Sequence, residues 1–130
     1  MKRGLTLIEI LVAVSITAVT LLALYGVLTY GMRISLRTKH KTIAYHAASQ
    51  EMEILRATPF SSLTNQTDGP FIGTVFDLNK LPSSQGKLTI ENYEGSTEIK
   101  KVTIRVLWQE GGSQKEATLV TLISKGGLNP

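Results

Sequence analysis

The chain has 130 residues, 42% of them hydrophobic, and a formal net charge of +4; that length holds one modest domain plus an accessory element. It has no cysteine, which excludes a disulfide framework and a thiolate metal site while leaving the compartment open. Removal of Lys2 and Arg3 would change 14 basic against 10 acidic side chains to 12 against 10, a balance too slight to argue for a nucleic-acid partner.

The apolar residues are unevenly placed. No charged side chain occurs over residues 10–32, and nearly all the charge follows from Arg33 onward. A mean hydropathy of +0.08 therefore conceals a membrane-like segment joined to a soluble one. A hydrocarbon core about 30 Å thick takes roughly 20 apolar residues in a helix, against about 7 to 15 for the apolar part of a secretory signal. Residues 10–32 meet the longer requirement and predict a single-pass anchor in the cytoplasmic membrane; a secreted protein with a cleaved signal is the competing reading. Lys2 and Arg3 form a basic flank that stays in the cytoplasm and turns the rest of the chain outward. Arg33, Arg37, Lys39 and Lys41 oppose that orientation by charge count, so it rests on what precedes the apolar run.

What precedes it is Glu9, an acid at the start of an otherwise apolar helix. A lone charge costs about 2.5–3.5 kcal/mol at the bilayer centre. A first-turn position moderates this, because the free amides and the helix dipole favour negative charge. The run Gly4-Leu5-Thr6-Leu7-Ile8-Glu9, after Lys2-Arg3, resembles the class III signal of type IV prepilins. That signal is a short basic leader ending in glycine, an apolar first mature residue, then Thr, Leu, Ile and Glu.

The resemblance implies that a prepilin peptidase cuts between Gly4 and Leu5 on the cytoplasmic side and then methylates the new amino group of Leu5. Glycine lets the backbone approach a protease closely. Leu5 departs from the usual phenylalanine but keeps the apolar character. Glu9 is implied to pair with the charged N-terminus of a neighbouring subunit, drawing one helix into register in a growing fibre, since opposite charges attract strongly at low dielectric.

From Arg33 the pattern becomes amphipathic. Ala44, Ala47, Ala48, Met52 and Leu55 recur at three- and four-residue steps, with Arg37, Lys41, Glu51 and Arg56 on other faces, so one helix runs from about Thr6 to Ala57. Pro59 ends it, because the residue before proline disfavours helical angles. Residues 58–86 are rich in Ser, Thr, Asn, Gly and Pro and form a connecting loop, with the apolar patch 71–76 as the place for an edge strand. Asp68 and Asp77 are too few and too far apart for a calcium loop.

Strand alternation fills the remainder. Leu88 and Ile90 alternate with polar neighbours; Val102, Ile104, Val106 and Trp108 alternate with Thr103, Arg105 and Leu107; Thr118, Val120 and Leu122 repeat the period of two. Turns at Glu94-Gly95-Ser96 and Gly111-Gly112-Ser113 separate three antiparallel strands, a meander laid on the outer half of the helix. Trp108 reads as a core residue facing that helix. The fold class is α+β, which is also the pilin plan. The divisions are a leader at 1–4, a transmembrane and assembly helix at 5–32, an amphipathic extension at 33–57, the loop at 58–86 and the sheet at 87–130.

Two further stretches narrow the resemblance. Residues 47–56, before Pro59-Phe60, and the 102–108 strand look like V-type minor pilins (type IV pilus modification proteins) and I-type minor pseudopilins of type II secretion. Many major pilins have a helix-kinking proline in the apolar span and a cysteine pair; this chain has neither, only Gly26 and Gly31 as soft points. The resemblance thus implies a non-enzymatic minor subunit that primes or caps a type IV pilus or pseudopilus near its tip. Its implied partners are the prepilin peptidase/methyltransferase, other major and minor pilins or pseudopilins, and the inner-membrane assembly platform. No cofactor or metal is expected, and His40 and His46, six apart, read as solvent-facing. The alternative is a tip module in competence or adhesion whose Lys100, Lys101, Arg105, Lys115 and Lys125 hold DNA or an anionic surface. Without interleaved aromatics these read rather as a solvated sheet face.

Overall fold

The computed structural model describes residues 6–126. The chain divides into two compact units, Met1–Arg37 and Thr38–Pro130. Helix α1 covers Leu7–Ala57. It ends where the sequence predicts: the N–H of Thr58 donates to the Leu55 carbonyl (3.2 Å), the Thr58 hydroxyl donates to the Ile54 carbonyl (2.8 Å), and Pro59 stands in an extended conformation (φ −56°, ψ 135°). Proline cannot supply the N–H that a further turn needs.

In the second unit, four strands among the described residues form one antiparallel sheet in the order β1-β2-β3-β4: β1 (Gln66–Gly69), β2 (Gln85–Asn92), β3 (Ile99–Glu110) and β4 (Ser113–Ser124). Three of them are the predicted meander. The fourth, β1, lies earlier in the connecting loop than the apolar patch 71–76, where the edge strand was expected. The patch instead supplies packing. Phe71 lies over β2 at Gly86, where a Cβ would come within 2.7 Å of its ring, and Val75 is buried.

The core forms between one face of α1 and one face of the sheet. Ala44, Ala47, Ala48, Met52 and Leu55 pack with Leu88, Ile90, Val102, Ile104, Val106, Trp108 and Ala117. Small side chains at the first three positions let the helix backbone sit close to the sheet, and the alternation of β3 places Trp108 inward as expected.

The facing of β4 is set by its neighbour. Both parities of its sequence are apolar, with Leu119 and Ile123 on one and Val120 and Leu122 on the other, so alternation alone cannot choose. The hairpin at Gly111 and Gly112 chooses. Both glycines take left-handed angles (φ 58° and 78°), and the turn pairs Glu110 with Ser113, hence Val106 with Ala117 and Ile104 with Leu119. Because Ile104 and Val106 face the helix, Ala117, Leu119 and Ile123 do too, leaving Val120 57% and Leu122 51% exposed on the outer face.

Glu51 is the other departure. It was placed among the charged residues on the polar faces, yet its side chain is fully buried. The loop over the helix explains this: the N–H of Ile72 donates to Glu51 Oε1 at 2.6 Å and the N–H of Gly73 to Oε2 at 3.2 Å. Both carboxylate oxygens are thus satisfied by consecutive backbone amides. Gly73 makes this approach feasible, since a Cβ there would lie 2.2 Å from Ile54 Cδ1 and 3.3 Å from Glu51 Oε2.

Burial pushes the Glu51 carboxyl above its usual value of 4.5, more than the two amide bonds lower it. A carboxyl raised in the folded state binds protons there that the unfolded chain has already lost. Its contribution to stability is therefore fully present below 4.5 and declines as pH rises through the folded value. Glu51→Ala, which strands both amides, is expected to lower stability by about 1–3 kcal/mol. Against Glu51→Gln, the native chain should gain stability as pH falls from neutral toward 4.5. Thermal unfolding of the full chain in detergent, followed by the fluorescence of its single tryptophan, buried Trp108, checks both.

Candidate functional site

In the first unit the feature of interest is a helix whose side chains from residue 6 to residue 28 are all exposed. Leu7, Ile8, Leu11, Ile16, Val19 and Leu22 are each more than half exposed, an apolar surface suited to lipid or to neighbouring helices. Among the described residues α1 is the one helix long and apolar enough to cross a membrane. Its polar side chains do not disturb that surface. The hydroxyls of Ser15, Thr17 and Thr20 donate to the carbonyls of Leu11, Ala13 and Ile16, each at 2.8 Å, and that of Thr29 donates to Tyr25 at 3.1 Å. Each donor is satisfied within its own helix, as a low-dielectric surrounding requires. Tyr25 and Tyr30 stand near the charged end of the span, where amphipathic rings favour a membrane boundary.

Glu9 sits in the first turn of this helix and is exposed. The Thr6 hydroxyl reaches its Oε2 at 3.5 Å, while the N–H groups of Glu9 and Ile10 both donate to the Thr6 carbonyl (3.1 and 3.3 Å). Thr6 thus turns the chain into the helix and leaves most of the carboxylate's acceptor capacity open. Gly4 and Leu5, the expected cleavage and methylation positions, lie outside the described residues.

Residues 1–25 match the family model for the prokaryotic N-terminal methylation motif. That match supports a type IV prepilin-like chain. Its long helix packed on a four-stranded antiparallel sheet is a pilin-like α+β fold, and the motif is that of a processed subunit that a prepilin peptidase trims and that associates with other pilins. Comparison with curated proteins and with solved structures gave no match.

The second unit of this prepilin-like chain disperses the basic cluster. Lys101 pairs with Glu91 and Lys125 with Glu98, each at 2.9 Å, while Arg105 bonds Asp68. Lys100 lies on the inward parity of β3, bonds the Leu63 carbonyl and Asn65 Oδ1, and sits 5.5 Å from the centre of the Phe60 ring. Asp68 and Asp77 are likewise engaged. Arg105 first, then Lys87, holds the Asp68 carboxyl below its ordinary range, as Lys80 does for Asp77.

The histidines separate. His46 is exposed as expected, but His40 is not solvent-facing. It stands at the tip of the β3–β4 hairpin with Nδ1 3.6 Å from Glu110 Oε1, the two side chains 23% and 16% exposed. Helix periodicity could not reveal this, because the covering group comes from a hairpin seventy residues on.

A charge in the apolar span has a cost that a self-satisfied hydroxyl does not. Leu21→Arg should lower the membrane-integrated fraction resisting alkaline extraction, at about 2.5–3.5 kcal/mol of insertion penalty. Thr20→Val and Glu9→Val should leave that fraction unchanged.

Proposed function

We propose that this chain is a minor pilin or pseudopilin, cleaved between Gly4 and Leu5, N-methylated at Leu5, and incorporated near the tip of a type IV pilus or type II secretion pseudopilus to prime or cap its assembly. The observation that carries the reading is the methylation motif leading into a fully exposed apolar helix with one acid in its first turn. Released from the leader, Leu5 gains an amino group four residues before Glu9. In lipid, the carboxylate of one subunit and the ammonium of the next each lack another strong partner. Pairing offsets part of the desolvation cost of both charges, and its short range favours one helix register.

The leader stays cytoplasmic and the sheet domain lies outside, since the peptidase acts on the cytoplasmic side. The divisions follow the chemistry: leader 1–4, assembly helix 5–32, amphipathic extension 33–57, a connecting loop over 58–86 that carries the short β1 and the start of β2, and the rest of the sheet within 87–130. Assembly of this kind uses surfaces rather than a reaction centre, and the inner-membrane platform and other minor subunits are its partners. The rival, a tip module for DNA or an anionic surface, needs free cations in an array. Local pairing of Lys101, Arg105 and Lys125 weighs against it.

Mass measurement of the mature N-terminus decides between this reading and an ordinary secreted protein. A chain starting at Leu5 and carrying one added methyl is expected, whereas a start beyond Ala23 sinks the proposal. Glu9→Val should remain in the membrane yet be missing from sheared fibres; normal incorporation removes the pairing role. Triple neutralisation of Lys101, Arg105 and Lys125 to alanine is expected to leave DNA uptake or surface adhesion unchanged, and loss of either would favour the tip module.

A further inference from the structure

The two edges of the sheet are built differently. The β1 edge is four residues long, its register shifts between Gln66 and Gly69, and Asp68 stands at φ 53° with its carboxylate tied to Arg105 and Lys87. Short length, irregularity and charge are the devices that keep an edge from pairing. The β4 edge is neither short nor irregular, and its charges, Lys115 and Glu116, are confined to the hairpin end. It is twelve residues long and pairs with β3 without irregularity, and no strand lies beyond it among the described residues.

The hydrogen-bond phase shows which groups that edge offers. The N–H of Lys125 donates to the Glu98 carbonyl at 2.8 Å, and in an antiparallel ladder every second residue bonds the same neighbour. Odd-numbered residues of β4 therefore bond β3, and the even-numbered ones turn their N–H and C=O outward. Thr118, Val120 and Leu122 are among these, so the residues with free backbone groups are also those whose side chains stand exposed. From Ala117 to Ser124 there is no charged side chain.

We infer that β4 is a docking edge for an edge strand of a different pilin-like subunit, antiparallel to β4 and uncharged over about eight residues. This rests on the assembly reading above. The occupant's chemistry follows from the edge: a charge opposite Val120 or Leu122 would lie beside apolar side chains with no counter-ion, whereas alternating apolar residues would form cross-strand pairs on the outer face. Its direction follows from the topology. A subunit of the same plan held the same way up presents its β1-side edge, and that strand runs opposite to β4.

A second copy does not fit. Its own β1 is too short and irregular to offer. Pairing β4 with β4 requires a twofold axis normal to the sheet, which sets the packed helix segments 38–57 of the two chains running in opposite directions. Two chains anchored in one membrane through the N-terminal side of that segment run the same way. The subunit accepts on one edge and offers nothing on the other, so a lateral row of sheets ends with it.

The test uses the full chain in cells that assemble the fibre. A photoreactive p-benzoylphenylalanine at Val120 or Leu122 should give a covalent adduct with another subunit bearing a class III signal, and none at Thr89, on the same face in mid-sheet. Adducts with a second copy, equal labelling at Thr89, or no adduct in a chain that still enters fibres overturn the inference. Val120→Pro removes an outward N–H without touching the β3 ladder. It should reduce recovery with the partner by about tenfold, the worth of one or two main-chain hydrogen bonds, with Val120→Thr restoring it. A mature N-terminus at methylated Leu5 in every variant separates failure of the docking edge from failure of the assembly reading.

Discussion

Close approach of helix and sheet is the constraint on which the second unit depends. With alanine at 44, 47 and 48, all fully buried, the backbone of α1 comes near enough for Val102, Ile104, Val106 and Trp108 to cover it. Larger side chains there would lift the helix and open voids around Leu55 and Leu88, and cores tolerate neither gaps nor overpacking. The same closeness makes the rest possible: a helix carboxylate can reach the loop above it, and His40 can lie against the hairpin tip.

The first unit obeys the opposite rule. Its described side chains from 6 to 28 are all exposed, and the hydroxyls of Ser15, Thr17 and Thr20 turn back on their own backbone. Such a surface is stable only when something apolar surrounds it, such as lipid or neighbouring helices. One sequence thus joins a segment satisfied by its own packing to one satisfied only by company. The passage between them falls near Arg33 and Arg37, where charge resumes after the uncharged span.

Much of this was legible in the residues. The period of three and four in 44–55, the proline that stops the helix and the alternation of β3 each report a single dominant force, and the motif around Glu9 is specific enough to name a family. What the residues do not show has a different origin. β4 carries apolar residues on both parities, so its facing came from the hairpin register and not from its own pattern. Glu51 and His40 look like solvent-facing residues until a loop or a hairpin, distant in sequence, is laid over them. The short β1 escaped because only Thr67 of its four residues favours a strand, while Asp68 and Gly69 disfavour one, and the segment pairs because β2 is there to receive it.

The Glu51 contact also says something about variation. Its two oxygens grip main-chain amides of Ile72 and Gly73, and read no side chain of the loop they hold. A loop with quite different residues could be seated on the same carboxylate, provided it offers two successive N–H groups and stays slim at position 73. The helix thus carries a generic socket. Exchange of the exposed side chains of that loop, Ile72 and Thr74, would alter the outer surface of the subunit while leaving the core, the sheet and the long helix as they are.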